Sequence, residues 1–259
     1  MSERGKAVGP LLVVTALADE ARAFFGGTDG SLTLRRRRTT GRGSPSETGR
    51  GEIVWVGPGS SGDSLLLSLL TSGRFSCVLF TGLAGALSPG LSPGSTVVAE
   101  EVVTPTGARL FPDRPFPLDL SCLSSIGERG EVRVFSGRIL SSAALVGTPE
   151  EKEVRARETG AMAVDMESAG WLALASRAGV PAAVVRVISD GAEETLPPEI
   201  LSFVASDGSV SYRGILRSLL SRPALLSQLL TLWPSLGRGR TTLTRMGGAV
   251  SAALRRSGQ

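Results

Sequence analysis

A single α/β domain is what this sequence predicts: three layers, with a twisted mixed β-sheet between helices. Three observations predict it. Residues 161–190 read strand, helix, strand in succession. Two further strand–turn–helix units precede them, over 11–25 and 52–70. The 259 residues, 41% hydrophobic and 20% charged, have the size and composition of one globular domain with a real core.

The elements justify themselves in order. Leu11–Thr15 is an apolar run of strand length, and Ala16–Glu20 turns into a short helix with Asp19 and Glu20 as first-turn acids. Residues 26–51 are rich in Gly, Ser, Thr and Arg and read as a solvated loop. They carry no interleaved aromatics on which bases would stack, so no nucleic-acid partner is expected. Glu52–Val56 is a second strand, followed by the turn Gly57–Gly62 and the apolar helix Ser64–Leu70. Cys77–Phe80 is a buried strand that runs into a turn at Thr81-Gly82, and Leu91–Val98 holds another strand. Residues 104–132 are punctuated by Pro105, Pro112, Pro115 and Pro117 and read as loop. Val132–Phe135 is a strand, and Pro149–Thr159 a charged amphipathic helix.

The central stretch follows. Ala163 and Val164 close a strand, and Asp165-Met166-Glu167 turns into a helix with apolar positions at Trp171, Leu172, Leu174 and Ala175. Gly179-Val180-Pro181 stops it. Ala182–Ile188 is an apolar, β-branched run of the kind buried on both faces of a sheet. Ser189-Asp190 stands at its carboxyl end, where α/β sheets place their ligands. Glu167 and Asp190 therefore leave neighbouring strand ends into one crevice. Taken singly, Glu167 also fits an ordinary first-turn acid and Asp190 the start of a loop.

Composition excludes several chemistries. There is no histidine, which removes Ser-His-Asp and Cys-His catalysis and His-based metal sites. Cys77 and Cys122 lack metal spacing, so no metal is expected. The net charge of +4 comes almost wholly from arginine, since Lys6 and Lys152 are the only lysines. No apolar run reaches the roughly 18–20 residues of a membrane span. Arg4 and Lys6 ahead of Leu11–Leu17 mimic a signal peptide, but cleavage there would remove the first strand, so a cytoplasmic location is expected. The run Gly57-Pro58-Gly59-Ser60-Ser61-Gly62 matches G-x-G-x-x-G between a strand and a helix, which keeps an NAD-binding oxidoreductase as an alternative. Against it, the next strand ends without the acidic residue that takes the ribose hydroxyls.

The wording VDMESAG, followed by VVRVISDGAEE, resembles the paired signature of the purine nucleoside phosphorylase and nucleosidase superfamily. CVLFTGLAG and ALADE resemble two more of its markers. The resemblance implies a nucleoside phosphorylase-like fold and cleavage of an N-glycosidic bond. Met166 and Glu167 would bind the ribose, Ser189 and Asp190 would serve the base, and Thr81 and Gly82 would lie against the nucleoside. Leu145 and Val146 would border the purine, and Glu20 would activate the attacking water. Asp190 would protonate the departing purine, its apolar strand end keeping it neutral by desolvation. No cofactor is implied, with phosphate as a possible co-substrate. Leu83 stands where many relatives carry a hydroxyl facing the anion or water, which leaves phosphorolysis and hydrolysis both open. A homo-oligomer, dimer or larger, is implied.

A boundary is expected between residues 1–207 and a basic, helical extension over 208–259. After Asp207 there is no acidic residue, while eight arginines run from Arg213 to Arg256. The helical segments Ile215–Leu220, Ala224–Trp233 and Met246–Leu254 lie between them. Such helices suit a membrane interface, and equally suit packing on the domain or on a partner subunit. The wording SDGSVSYRGILRSLLSRPALLSQLLTL resembles the hopanoid-associated phosphorylase-like branch, which is linked to removal of adenine from adenosylhopane. The implied reaction is adenine release from a 5′-substituted adenine nucleoside, adenosylhopane first. A methylthioadenosine/S-adenosylhomocysteine-type nucleosidase is one alternative. A non-catalytic membrane-associated scaffold is another, resting on the tail alone.

Overall fold

A computed structural model describes residues 9–35, 50–124, 133–203, 207–209 and 225–257. The strands are β1 (Leu11–Thr15), β2 (Leu32–Arg35), β3 (Gly51–Trp55), β4 (Cys77–Ala86), β5 (Thr96–Val103), β6 (Arg109–Leu110), β7 (Val134–Ser141), β8 (Ala163–Asp165) and β9 (Ala182–Asp190). The helices are α1 (Ala18–Phe25), α2 (Asp63–Leu70), α3 (Pro149–Thr159), α4 (Ser168–Ala178) and α5 (Leu225–Arg256).

Among the described residues the nine strands belong to one mixed sheet in the order β2-β3-β1-β4-β8-β7-β5-β6, with β9 bridging β4 and β5. β9 runs parallel to β4 and antiparallel to β5, so β4, β9, β5, β7 and β8 close into a ring. Nothing in the residue pattern foretold this closure. It explains why every residue of β9 is buried, charged ones included. On one side α1 and α5 cover Leu11, Val13, Leu79, Val185 and Val187. On the other, α2 and α4 cover Leu12, Val14, Phe80 and Val184, with Trp171 against Phe80 at 5.4 Å between ring centroids. The α/β layers expected from the sequence are present.

Local chemistry sets the ends that matter for the site. α3 begins at Thr148, whose hydroxyl accepts from Glu151 N–H while Glu151 returns to the Thr148 N–H, and it ends at Gly160 with φ 64°. α4 ends at Gly179 with φ 68°, its N–H closing on Ala175 O and Ser176 O.

Four expectations change. Thr81-Gly82 is not a turn: β4 continues to Ala86, because Thr81–Ala84 pair in register with Val185–Ile188 of β9. Residues 32–35 form an edge strand inside what read as loop, Leu32 being buried against the core. The strand expected at 132–135 starts at Val134 and runs to Ser141, paired on both sides, and residue 132 lies outside the described residues. The two apolar segments of the tail within the described residues are one helix, α5, continuous through Pro234. Its Leu232, Ser235, Thr242, Leu243, Met246, Val250 and Leu254 are buried, a helical stripe docked on α1, β9 and the turn Leu120–Leu123. The apolar face over Met246–Leu254 therefore belongs to the core and not to a lipid surface. The segment Ile215–Leu220 lies outside the described residues.

Candidate active site

The carboxyl ends of β1, β4, β8 and β9 converge, and each delivers a charged or backbone group. β1 hands over to α1, whose third residue is Glu20. Its carboxylate is buried, with Oε2 accepting Leu17 N–H at 2.9 Å and Oε1 accepting Leu83 N–H at 2.8 Å. Burial raises the Glu20 pKa, with the two backbone N–H groups and the Arg186 charge opposing it.

β4 passes this carboxylate at Gly82, which has φ 149°. A Cβ there would lie 2.8 Å from Arg186 Nη1 and 2.9 Å from Glu20 Oε1, so any other residue would have to displace these two charged groups and take a φ that glycine alone adopts readily. The Thr81 side chain points elsewhere, its hydroxyl lying 3.4 Å from Met246 Sδ of α5. The family resemblance implied Thr81 at the nucleoside, with Thr81-Gly82 read as a turn. Strand alternation, which the turn reading hid, sends it to the opposite face.

β8 ends in Asp165 and leads through Met166, half-buried, to Glu167. Glu167 Oε1 accepts the Gly59 N–H at 3.1 Å. Its pKa is pushed up to about 7 by burial and by the neighbouring Asp165 charge, against the pull of Arg186. The glycine turn at 57–62 is thus answered by a carboxylate, whose charge would repel a pyrophosphate. Gly62 is needed for packing, since a Cβ there would lie 2.2 Å from Val56 O. Both observations count against a dinucleotide at this turn.

Arg186, buried in β9, organises the cluster and was not singled out in the sequence. It pairs with Asp165 at 2.6 Å, donates to Ser168 Oγ at 2.9 Å, and lies over the Trp171 ring at 5.4 Å. The signal was available: an arginine within an apolar run that is buried on both faces must have an acidic partner inside. Glu20, Asp165 and Glu167 lie around this one guanidinium: burial raises Glu20, while burial and then the Asp165 and Glu20 charges raise Glu167, and Arg186 pulls both down.

Asp190 closes β9. Ser189 Oγ donates to its Oδ1 at 2.6 Å, and Gly85 of β4 is close enough that a Cβ would lie 2.9 Å from Oδ2. The surroundings are not the apolar strand end that the sequence implied. Lys152 of α3 donates to Asp190 Oδ2 at 2.7 Å from a fully buried position. Periodicity hid this residue, because a charged helix surface was the simpler reading of EEKEVRARET. The 145–147 segment adjoins the turn after Asp190, through Leu196 N–H to Gly147 O at 2.8 Å. Leu145 is half-buried there, while Val146 is buried in a small cluster with Leu87, Leu140 and Val164. α5 covers the turn from the other side: Ser235 Oγ donates to Glu194 Oε1 at 2.8 Å. Among the described residues no group of three or more Cys, Asp or Glu side chains gathers as a metal site.

Groups of this chemistry can bind a sugar at Glu167, place a water at Glu20 and offer a proton at Asp190. Comparisons with known proteins bear on the family and the fold. Residues 12–221 match the model of the phosphorylase superfamily. The chain is 26% identical over 204 residues to the 5′-methylthioadenosine/S-adenosylhomocysteine nucleosidase of Mycobacterium tuberculosis (strain CDC 1551 / Oshkosh), covering 64% of this chain and 80% of that one. It is 28% identical over 197 residues to the futalosine hydrolase of Acidothermus cellulolyticus, covering 69% and 78%. Its fold is similar to that of a mutant Helicobacter pylori nucleosidase with 5′-methylthioadenosine in its active site (TM-score 0.61, 20% identity, 92% and 97% covered). The Neisseria meningitidis 5′-methylthioadenosine/S-adenosylhomocysteine nucleosidase superposes at TM-score 0.65 with 16% identity, over 95% of this chain and all of that one.

Proposed function

Because this chain belongs to the phosphorylase superfamily, we propose that it hydrolyses the N-glycosidic bond of a 5′-substituted adenine nucleoside, of the methylthioadenosine or S-adenosylhomocysteine kind, and releases adenine. One observation carries the reading. Glu20 and Arg186 come together beside Gly82 of β4, within reach of the Glu167 charge, and Asp190 ends the same β9 that carries Arg186. In the reaction the C1′–N9 bond breaks and its electron pair leaves with the purine. Asp190 gives its proton to N7, and water adds to C1′ as Glu20 takes a proton from it. Glu167 accepts the ribose hydroxyls and stabilises the oxocarbenium-like sugar, while Met166 packs its face. Water is favoured over phosphate because the Leu83 N–H is already committed to the Glu20 carboxylate, a negative group where an anion would have to sit.

The test is free adenine released from adenosine, methylthioadenosine and S-adenosylhomocysteine, with and without phosphate. Phosphate-independent release from the 5′-thio nucleosides is expected. Strict phosphate dependence would replace hydrolysis by phosphorolysis, and no release from any of them would remove the reading.

Adenosylhopane is the second reading, favoured by one observation on the 208–259 extension. Trp233 is 75% exposed on α5, one to two helical turns from the exposed Arg238 and Arg240. An exposed indole beside cations suits a peripheral contact with an anionic membrane, each cation contributing about 1 kcal/mol. Vesicles of anionic lipid should retain the protein at low salt and release it at high salt, and Trp233→Ala should lose that retention. Equal binding to neutral vesicles, or none to either, would leave the 5′-thio nucleosides alone. A homo-oligomer is proposed as well, with Phe111, 65% exposed, in the contact; a monomeric mass by light scattering would refute it.

A further inference from the structure

Helix α3 buries a single side chain, and that side chain is a lysine. Lys152 has no solvent exposure. Its ammonium spends all three of its hydrogens at 2.7 Å, on Asp190 Oδ2, Gly191 O and Glu194 O. A buried ammonium is costly unless every donor is answered, so this helix is docked by its cation and not by an apolar face. The acceptors are not scattered: all three belong to the end of β9 and the turn that follows it. Glu194 returns its carboxylate to Gly191 N–H at 3.1 Å, which ties the same turn from within.

Resting on the reading of Asp190 as the proton donor, we propose that Lys152 is a positioning residue for that step. Its ammonium fixes the carboxyl plane of Asp190 and waits at the oxygen where negative charge develops. A proton taken up from water on Asp190 Oδ1, the oxygen that Lys152 does not hold, passes to the purine N7 as the C1′–N9 electron pair moves onto the purine, and Asp190 is left as a carboxylate. Lys152 keeps its own protons throughout and stabilises that carboxylate from 2.7 Å, a charge-assisted contact already formed before the reaction. Ser189, donating to the other oxygen, completes the fork. All three bonds of the Lys152 ammonium go to the end of β9 and its turn, so binding of the nucleoside is left to Glu167 and the backbone.

The experiment compares two leaving groups on one sugar. Methylthioadenosine needs a proton on its purine, whereas the 4-nitrophenyl glycoside of 5-methylthioribose leaves as a stable phenolate and needs none. Lys152→Met keeps the length of the side chain and removes the charge, and Lys152→Gln serves if the methionine variant is unstable. Either should lower kcat for adenine release by about 10²–10⁴, the range of a positioned general acid. KM should stay within about threefold, because the contact is to Asp190 and strengthens only as charge develops there. Release of nitrophenolate should be nearly unchanged. Asp190→Asn, assayed beside them, should show the same split. If both substrates suffer equally in the lysine variants, Lys152 merely holds the fold and the inference is overturned. Unchanged adenine release in those variants also overturns it. Full adenine release by Asp190→Asn would overturn the assignment of Asp190 itself, a separate failure.

Discussion

At the scale of single residues, the cleft is a problem of too many carboxylates for one guanidinium. Glu167, with its pKa raised to about 7, is the member whose ionisation is read out near neutrality. A carboxylate accepts ribose hydroxyls better than a carboxylic acid does, so kcat/KM should rise with pH through about 7. Glu167→Gln should lose that limb, raise KM and lower kcat. The stability effect has the opposite sign. The folded group holds its proton to about pH 7 against an ordinary value of 4.5, so its contribution is full below pH 4.5 and is lost as pH rises from 4.5 to 7. Glu167→Gln should therefore be more stable than the parent at pH 8, on the order of 2 kcal/mol, by urea unfolding. Greater stability with lower activity is expected of a strained site. Gly82→Ala tests the crossing of charges: its methyl would press on Arg186 and Glu20 from a φ of 149°. It should cost about 1–3 kcal/mol and depress turnover by at least about tenfold, whereas unchanged melting and turnover would show that the strand has room to move.

Elements explain why those residues meet. α5 supplies no charge to the cluster, yet it roofs the strand ends. Gly239 passes so close that a Cβ would lie 3.1 Å from Leu83 Cδ2 and 3.3 Å from Ile188 O. Gly247 crosses α1 with no space at all, where a Cβ would come within 1.9 Å of Phe24 O. The helix is therefore a structural wall of the site, and shortening the chain before it would expose the core that it covers. Met246→Ala, at a fully buried position, should cost about 2–5 kcal/mol of unfolding free energy. Trp233→Ala, at an exposed one, should stay within about 0.5 kcal/mol. A similar cost for the two in denaturant titrations would mean that the packing of α5 is not as described.

Over the whole molecule, the five-stranded ring is the rigid frame and the outer strands are its margin. β9 pairs on both sides, with β4 and with β5, whereas among the described residues β2 pairs only with β3. Hydrogen exchange should accordingly be slowest in β4 and β9 and fastest in β2 and β6, by several orders of magnitude. Exchange at β9 as fast as at β2 would show that the ring opens locally, and the site would then not be held by it. A closed ring also fixes the separation of the Glu20–Glu167 end from Asp190, since both flank β9 and cannot drift independently.

The sequence by itself determined the alternation of strands and helices, the position of Glu167 and Asp190 at strand ends, and the helix at 149–159. These are local matters: periodicity, glycine and proline punctuation and first-turn acids act within a few residues of one another. Part of the site was legible for the same reason, because Glu20, Glu167 and Asp190 each stand where a strand gives way to a helix or loop. Only the tertiary structure decided the rest. It sent Thr81 to Met246 by carrying β4 through an apparent turn, gave Arg186 to Asp165, and buried Lys152 against Asp190 from a helix that looked solvent-facing. It also turned the apolar face of the tail inward. Each of these depends on a partner tens of residues away, from 21 positions for Arg186 and Asp165 to 165 for Thr81 and Met246. The free energy of a buried charge depends on whether that distant partner is present, which no local pattern records.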